Sequence, residues 1–155
     1  MSRLEKRLAD IGEKMPPAKT PVANYLGCKI SDDMVYVSAR VSQLKGEVGS
    51  DVNTAQANEA AKLTLLDLLA IIKNDIGDLD RIISVEKLVG FVRSAPTYID
   101  QPKVIDGASD LLVTLLGENG RHARTATGVA QTPSGAAVQI EMILRLGSSA
   151  KNREK

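Results

Sequence analysis

The segment AAVQIEMILRL, residues 136–146, constrains the fold most. It alternates as a strand, with Val138, Ile140, Met142 and Leu144 on one side and Ala137, Gln139, Glu141 and Ile143 on the other. Neither side is polar throughout, so the strand needs cover on both faces. Helices of the same chain can supply one cover. The half-apolar second face then invites burial against another copy of the chain, which predicts a homo-oligomer with Glu141 near a subunit boundary.

Two amphipathic helices are available for the first cover. Asn53, followed three residues later by Gln56, reads as a cap and its partner. Ala57, Ala61, Leu65, Leu68 and Ile72 then lay an apolar stripe along a long helix that Gly77 ends. Val104, Ala108, Leu111, Leu112 and Leu115 make a second helix, stopped near Gly117 and Gly120. Between them RIISVEKLVGFV, residues 81–92, is rich in β-branched residues and reads as a strand. Earlier, MVYVSARV at 34–41 places Val35, Val37, Ala39 and Val41 on one side and Met34, Tyr36, Ser38 and Arg40 on the other. A further strand is expected around Leu26 to Ser31, and TATGVA is expected to join the last strand through a turn at QTPSG. The order implies an α+β domain with both helices on one sheet face. Leu4, Leu8 and Ile11 predict a short leading helix, and the prolines of MPPAKTP a linker, so residues 1–20 precede a domain at 21–146 and a polar, disordered tail at 147–155.

A net charge of +1, from 20 basic and 19 acidic side chains, gives no overall field toward nucleic acid or an anionic membrane. Cys28 is the single cysteine, which excludes an internal disulfide and a multi-cysteine metal site. A reducing cytoplasm is the expected location. The N-terminus lacks the apolar stretch of a secretory signal, and LLDLLAIIK is too short to span a bilayer.

Most catalytic signatures are missing: paired metal-binding histidines, a phosphate loop ending in Gly-Lys-Ser or Gly-Lys-Thr, and a nucleophile elbow. His122, the single histidine, follows a helix end and reads as structural. The cluster Arg121, His122 and Arg124 has no interleaved aromatics, so no stacking platform for nucleic acid is expected. Arg124 suits a carboxylate, because a guanidinium offers two parallel donors to both oxygens of an acid; a 2-keto or 2-imino acid would fit. The alternative is an exposed ion pair worth about 0.2–1 kcal/mol.

Taken together, PVANY, MVYVSAR and GFVRSAPTYIDQPKVIDGASDLLVTLLGENGRHARTATGVAQTPSGAAVQIEMI resemble the YjgF/RidA family of reactive-intermediate deaminases, also labelled endoribonuclease L-PSP, from about Pro21 to Leu146. The YxxDQPKVIDGASDLL and GRHAR segments look like a branch distinct from the best-studied deaminases. The resemblance implies a chorismate-mutase-like α+β fold with a mixed sheet, a homotrimer with sites between subunits, and hydrolysis of enamines or imines to a 2-keto acid and ammonia without metal or organic cofactor. It implies that Arg124 grips the substrate carboxylate and that Glu141 orients the attacking water. Tyr25 and Ser38 match cleft residues. Three positions depart from the family pattern: Asp106 replaces a frequent asparagine, Ala126 a frequent cysteine, and Ala39-Arg40 a common Gly-Gln. Two other functions stay open beside the deaminase: a trimeric binder of small carboxylic acids without turnover, and a ribonuclease or translation inhibitor, which the missing histidine pair disfavours.

Overall fold

The structure, a computed structural model, describes residues 1–147. The expected tail lies outside the described residues apart from Gly147. Five strands, β1 (Cys28–Ser31), β2 (Met34–Val41), β3 (Ile82–Arg93), β4 (Ala123–Val129) and β5 (Val138–Leu146), form one mixed sheet in the order β1-β2-β5-β3-β4. Helices α2 (Thr54–Ile76) and α3 (Gln101–Leu116) pack against one face, preceded by the short α1 (Arg3–Asp10). Among the described residues, no helix is long and apolar enough to cross a membrane.

Local chemistry accounts for most element boundaries. Asn53 Oδ1 accepts from Gln56 N at 2.8 Å while Gln56 Oε1 accepts from Asn53 N at 2.9 Å, so the expected capping box opens α2. Gly77 closes the helix at φ 85°, a conformation glycine adopts without steric penalty. On β5, Val138, Ile140, Met142, Leu144 and Leu146 are all buried under the helices, whereas Gln139, Glu141, Ile143 and Arg145 alternate with them, half-buried, on the face that no helix among the described residues covers.

The QTPSG turn joins the last two strands as expected, at Pro133–Gly135, but these strands do not pair with each other. Instead β4 pairs in parallel with β3, and β5 lies antiparallel on the other side of β3. The reason is the intervening α3: a strand that returns after a helix arrives running in the direction of its predecessor, so it takes the parallel position. The alternation of β2 also breaks. Val37 faces Met142 but Arg40 faces Ile140, so Ser38 and Ala39 share the place opposite Glu141 as a β-bulge. Arg40 thereby joins the register of the helix-covered face and Val41, opposite Gln139, that of the open face.

Helix α1 straps the outer side of the helices. Ser2 and Glu5 form its capping box, Glu5 pairs with Lys73 of α2, and Arg7 Nη1 donates to Leu115 O of α3 at 2.5 Å. The Lys73 hydrogen bond first, then the Ser2 amide, hold the Glu5 carboxyl down at about 2 from its ordinary 4.5. A depressed carboxylate contributes stability that is complete above pH 4.5 and disappears as pH falls toward 2. The thermal midpoint is expected to drop across that window, and Glu5→Gln to flatten the drop; parallel profiles for both proteins would rule the strap out as an acid-sensitive element.

Cys28 is 7% exposed, and its backbone amide donates to Asp75 Oδ2 at 3.0 Å. Burial, reinforced by the nearby carboxylate charge, pushes its thiol up to about 12. Thiolate is therefore nearly absent at pH 8. A disulfide reagent is expected to leave the folded protein unlabelled and to take one equivalent after denaturation, whereas rapid labelling of the folded chain would contradict this environment.

Candidate functional site

The face on which each charged side chain sits follows from strand register. In parallel pairing Arg124 lies opposite Leu88, which in turn lies opposite Met142. Leu88 and Met142 are buried beneath the helices, so Arg124 belongs to the helix-covered face at the edge of the sheet. Ala126, two residues on, lies opposite Gly90 on the same side and packs against the core. Gly90 leaves room there for the Ile105 side chain, whose Cδ1 would stand 2.4 Å from an added Cβ.

Helix α3 faces this edge with Asp106 and Ser109, three residues apart and hence on one side of the helix. Arg124 Nη1 donates to Asp106 Oδ1 at 2.8 Å and to Ser109 Oγ at 3.3 Å. Behind them His122 Nε2 lies 3.0 Å from Ser109 Oγ, and His122 Nδ1 lies 2.6 Å from Gly120 O. A carbonyl only accepts, so Nδ1 carries a proton in this arrangement. Ser109 Oγ accepts from Arg124 and also bonds Nε2, so one chain of bonds runs from Arg124 through Ser109 and His122 to Gly120 O. The guanidinium is thus held through Nη1 by two residues of α3, with its side chain 26% exposed and that of Asp106 46%. The expected structural role of His122 agrees with this arrangement: it braces Ser109.

Glu141 stands elsewhere. It lies opposite Val89 on the open face, two strands from β4, with the bulge residues Ser38 and Ala39 across from it on β2. Ser38 donates through Oγ to Leu26 O at 2.6 Å, and its amide bonds Gly27 O, so it ties the start of β1 to the bulge. Tyr25, 46% exposed, precedes β1 and lines a cavity of about 170 Å³ with Pro21, Leu26, Ile71 and Asp75. Arg40 departs from this group because of the bulge, and its Nε is buried without a partner among the described residues.

One chain therefore carries two separate clusters: Arg124, Asp106, Ala126, Ser109 and His122 at the helix-covered edge, and Glu141, Ser38 and Ala39 on the open face. Sequence reasoning did not single out Ser109. Its signal was present, since a residue three after Asp106 on a helix shares its side, but that signal gains meaning only once β4 is known to lie beside α3.

Comparison with known proteins agrees with this architecture. The family described as "YjgF/chorismate_mutase-like, putative endoribonuclease" matches residues 5–142. Protein TCP17 of Trypanosoma cruzi is 35% identical over 153 residues, covering 94% of this chain and 96% of that protein. The crystal structure of Atu1372, a protein of unknown function from Agrobacterium tumefaciens, superposes with a TM-score of 0.87 at 41% identity, covering 94% of this chain and 93% of that one. The crystal structure of a "putative endoribonuclease" from Shewanella oneidensis reaches a TM-score of 0.88 at 28% identity over 92% of this chain and 99% of its own. The sheet order, the paired helices and these matches together establish that the chain belongs to the YjgF/chorismate-mutase-like family.

Proposed function

We propose that the protein hydrolyses small 2-imino acids, or the enamines in equilibrium with them, to 2-keto acids and ammonia, in sites built between subunits of a homotrimer. The observation that carries this reading is Arg124, three-quarters buried and held in place by Asp106 and Ser109. A shielded, oriented guanidinium can hold a carboxylate with charge-assisted bonds worth roughly 1.5–3 kcal/mol each, above the value of a surface pair.

The chemistry then asks little more of the protein. A protonated imine carbon is electrophilic, so a water oxygen adds to it while Glu141 takes the water's proton, giving a carbinolamine. That proton passes from Glu141 to the nitrogen, the carbon–nitrogen bond breaks, and ammonia leaves as the hydroxyl gives its proton back to Glu141 and becomes the carbonyl. Since Arg124 and Glu141 of one chain lie on opposite sheet faces, this reading draws them from neighbouring subunits. Tyr25 and Ser38 would line the Glu141 half of the cleft, and Ala126 the Arg124 half.

The test is hydrolysis of an imino acid generated in situ by an amino-acid oxidase, with semicarbazide competing for the imine. The protein is expected to lower semicarbazone yield in proportion to its concentration. No protection across several amino acids would sink the deaminase. Asp106, already bonded to Arg124, favours a second reading, a trimer that binds a small carboxylic acid without turnover. Calorimetric binding of a 2-keto acid without protection would select it.

A further inference from the structure

The contacts of Arg124 use one end of its guanidinium only. Nη1 donates to both Asp106 and Ser109; among the described residues, Nε and Nη2 donate to nothing. Those two nitrogens form the side-on edge of the fork, the edge that matches both oxygens of a carboxylate. Asp106 is likewise half used. Its Oδ1 accepts from Arg124, while Oδ2 accepts from nothing among the described residues. A pair of parallel donors and one anionic acceptor therefore stand on adjoining groups, 2.8 Å apart at their closest atoms.

We infer that Asp106 makes this site select ligands whose carboxylate is accompanied by a cationic nitrogen, a 2-iminium acid or a 2-ammonium acid, over acids that carry the carboxylate alone. The inference rests on the reading of Arg124 as the carboxylate clamp. The electrostatic argument is direct. Arg124 and Asp106 cancel each other's charge. A bare 2-keto carboxylate would bring one negative charge to that neutral pair and set it beside the Asp106 carboxylate. A ligand with a positive nitrogen next to its carboxylate restores neutrality, and that nitrogen supplies the N–H donor that Oδ2 lacks.

The same arrangement bears on reactivity. An imine becomes electrophilic when its nitrogen is protonated, and a carboxylate facing that nitrogen stabilises the protonated form. An asparagine in this place could bond the nitrogen but would add no charge. The product keto acid, having lost the nitrogen, would be the poorer ligand and leave.

The experiment compares wild type, Asp106→Asn and Arg124→Ala by direct titration with 2-oxobutanoate and 2-aminobutanoate, the second as an unreactive stand-in for the iminium. Asp106 is half-exposed and asparagine is its near-isostere, so the fold should be kept; circular dichroism verifies this before titration. Wild type is expected to favour the amino acid by about tenfold, Asp106→Asn to reverse the order by gaining about tenfold for the keto acid and losing about tenfold for the amino acid, and Arg124→Ala to bind neither. Equal keto-acid affinity in wild type and Asp106→Asn, or no binding of either ligand by wild type, overturns the selectivity. Imine protection measured on the same samples separates the two proposals. If Arg124→Ala loses protection while Asp106→Asn leaves ligand preference unchanged, the clamp stands and the role of Asp106 falls; if Arg124→Ala keeps protection, the clamp itself falls.

Discussion

Arg124→Ala is expected to lower imine hydrolysis by about a hundredfold or more, because it removes two charge-assisted bonds to the substrate, each worth roughly 1.5–3 kcal/mol. Oligomer size should not change. The side chain lies at the helix-covered edge of the sheet and would reach a boundary only at the shared cleft, so its loss leaves the half-apolar open face that would meet other subunits unchanged. Glu141→Gln is expected to be similarly impaired, having lost its water-orienting charge. The informative experiment mixes the two inactive proteins, unfolds them together and refolds them. Each variant keeps the half that the other lacks. If the site is shared across boundaries of a homotrimer, random assortment pairs an intact Arg124 with an intact Glu141 at about one boundary in four, so about a quarter of wild-type activity should return. Size-exclusion chromatography of each variant verifies that the assembly is kept. Two inactive parents whose mixture stays inactive would place both residues in one chain's site, against the opposite-face geometry. A fully active Arg124→Ala would remove the arginine from the reaction altogether.

The largest expected effect on stability comes from one methyl group at Gly107. In the middle of an exposed helix, glycine to alanine ordinarily stabilises by about 1 kcal/mol. Here the sign should invert. A Cβ on Gly107 would stand 2.1 Å from Asn58 O and 2.9 Å from Asn58 C, both backbone atoms of α2 that cannot rotate away. Asn58 also ties the helices together by donating from Nδ2 to Lys103 O at 2.8 Å. Alanine must push α3 off α2, and overpacking of this kind costs roughly 1–3 kcal/mol and occasionally more. For a chain of this size that corresponds to a fall of roughly 3–10 °C in thermal midpoint. Activity should fall as well, since Asp106 and Ser109, the neighbours of Gly107 that hold Arg124, move with α3. Thermal unfolding followed by circular dichroism reads the first effect. A midpoint at or above wild type would show that the two helices do not cross this closely in solution.

Much of this fold is written in local pattern. The Asn53–Gln56 box, the stop at Gly77 and the alternation of β5 are each decided by residues within one element, and each stands as the sequence indicates. What stayed hidden depends on partners distant in sequence. QTPSG has the composition of a hairpin turn, yet β3 lies between the strands it joins, because the position beside β3 goes to the strand that α3 delivers in parallel. The candidate site divides in the same way. The value of Arg124 for binding an acid follows from its chemistry, and Asp106 can be noticed in the sequence. That these two bond each other, that Ser109 and His122 brace them, and that Glu141 faces the other way depend on how β4 registers against β3 and α3.

The bulge at Ser38 and Ala39 works as a reading frame in space. Before it, odd-numbered residues of β2 belong to the buried side; after it, even-numbered ones do, as Val35 and Val37 opposite Leu144 and Met142 give way to Arg40 opposite Ile140. The one residue inserted between those runs lets a single short strand address two surfaces in phases that an uninterrupted strand could not combine. Any descendant of this chain that lost or gained one residue there would exchange the two audiences of everything downstream in β2, presenting Val41 to the helices and Arg40 to the open face. Length at this point is therefore as much a part of the chemical message as the identity of the side chains.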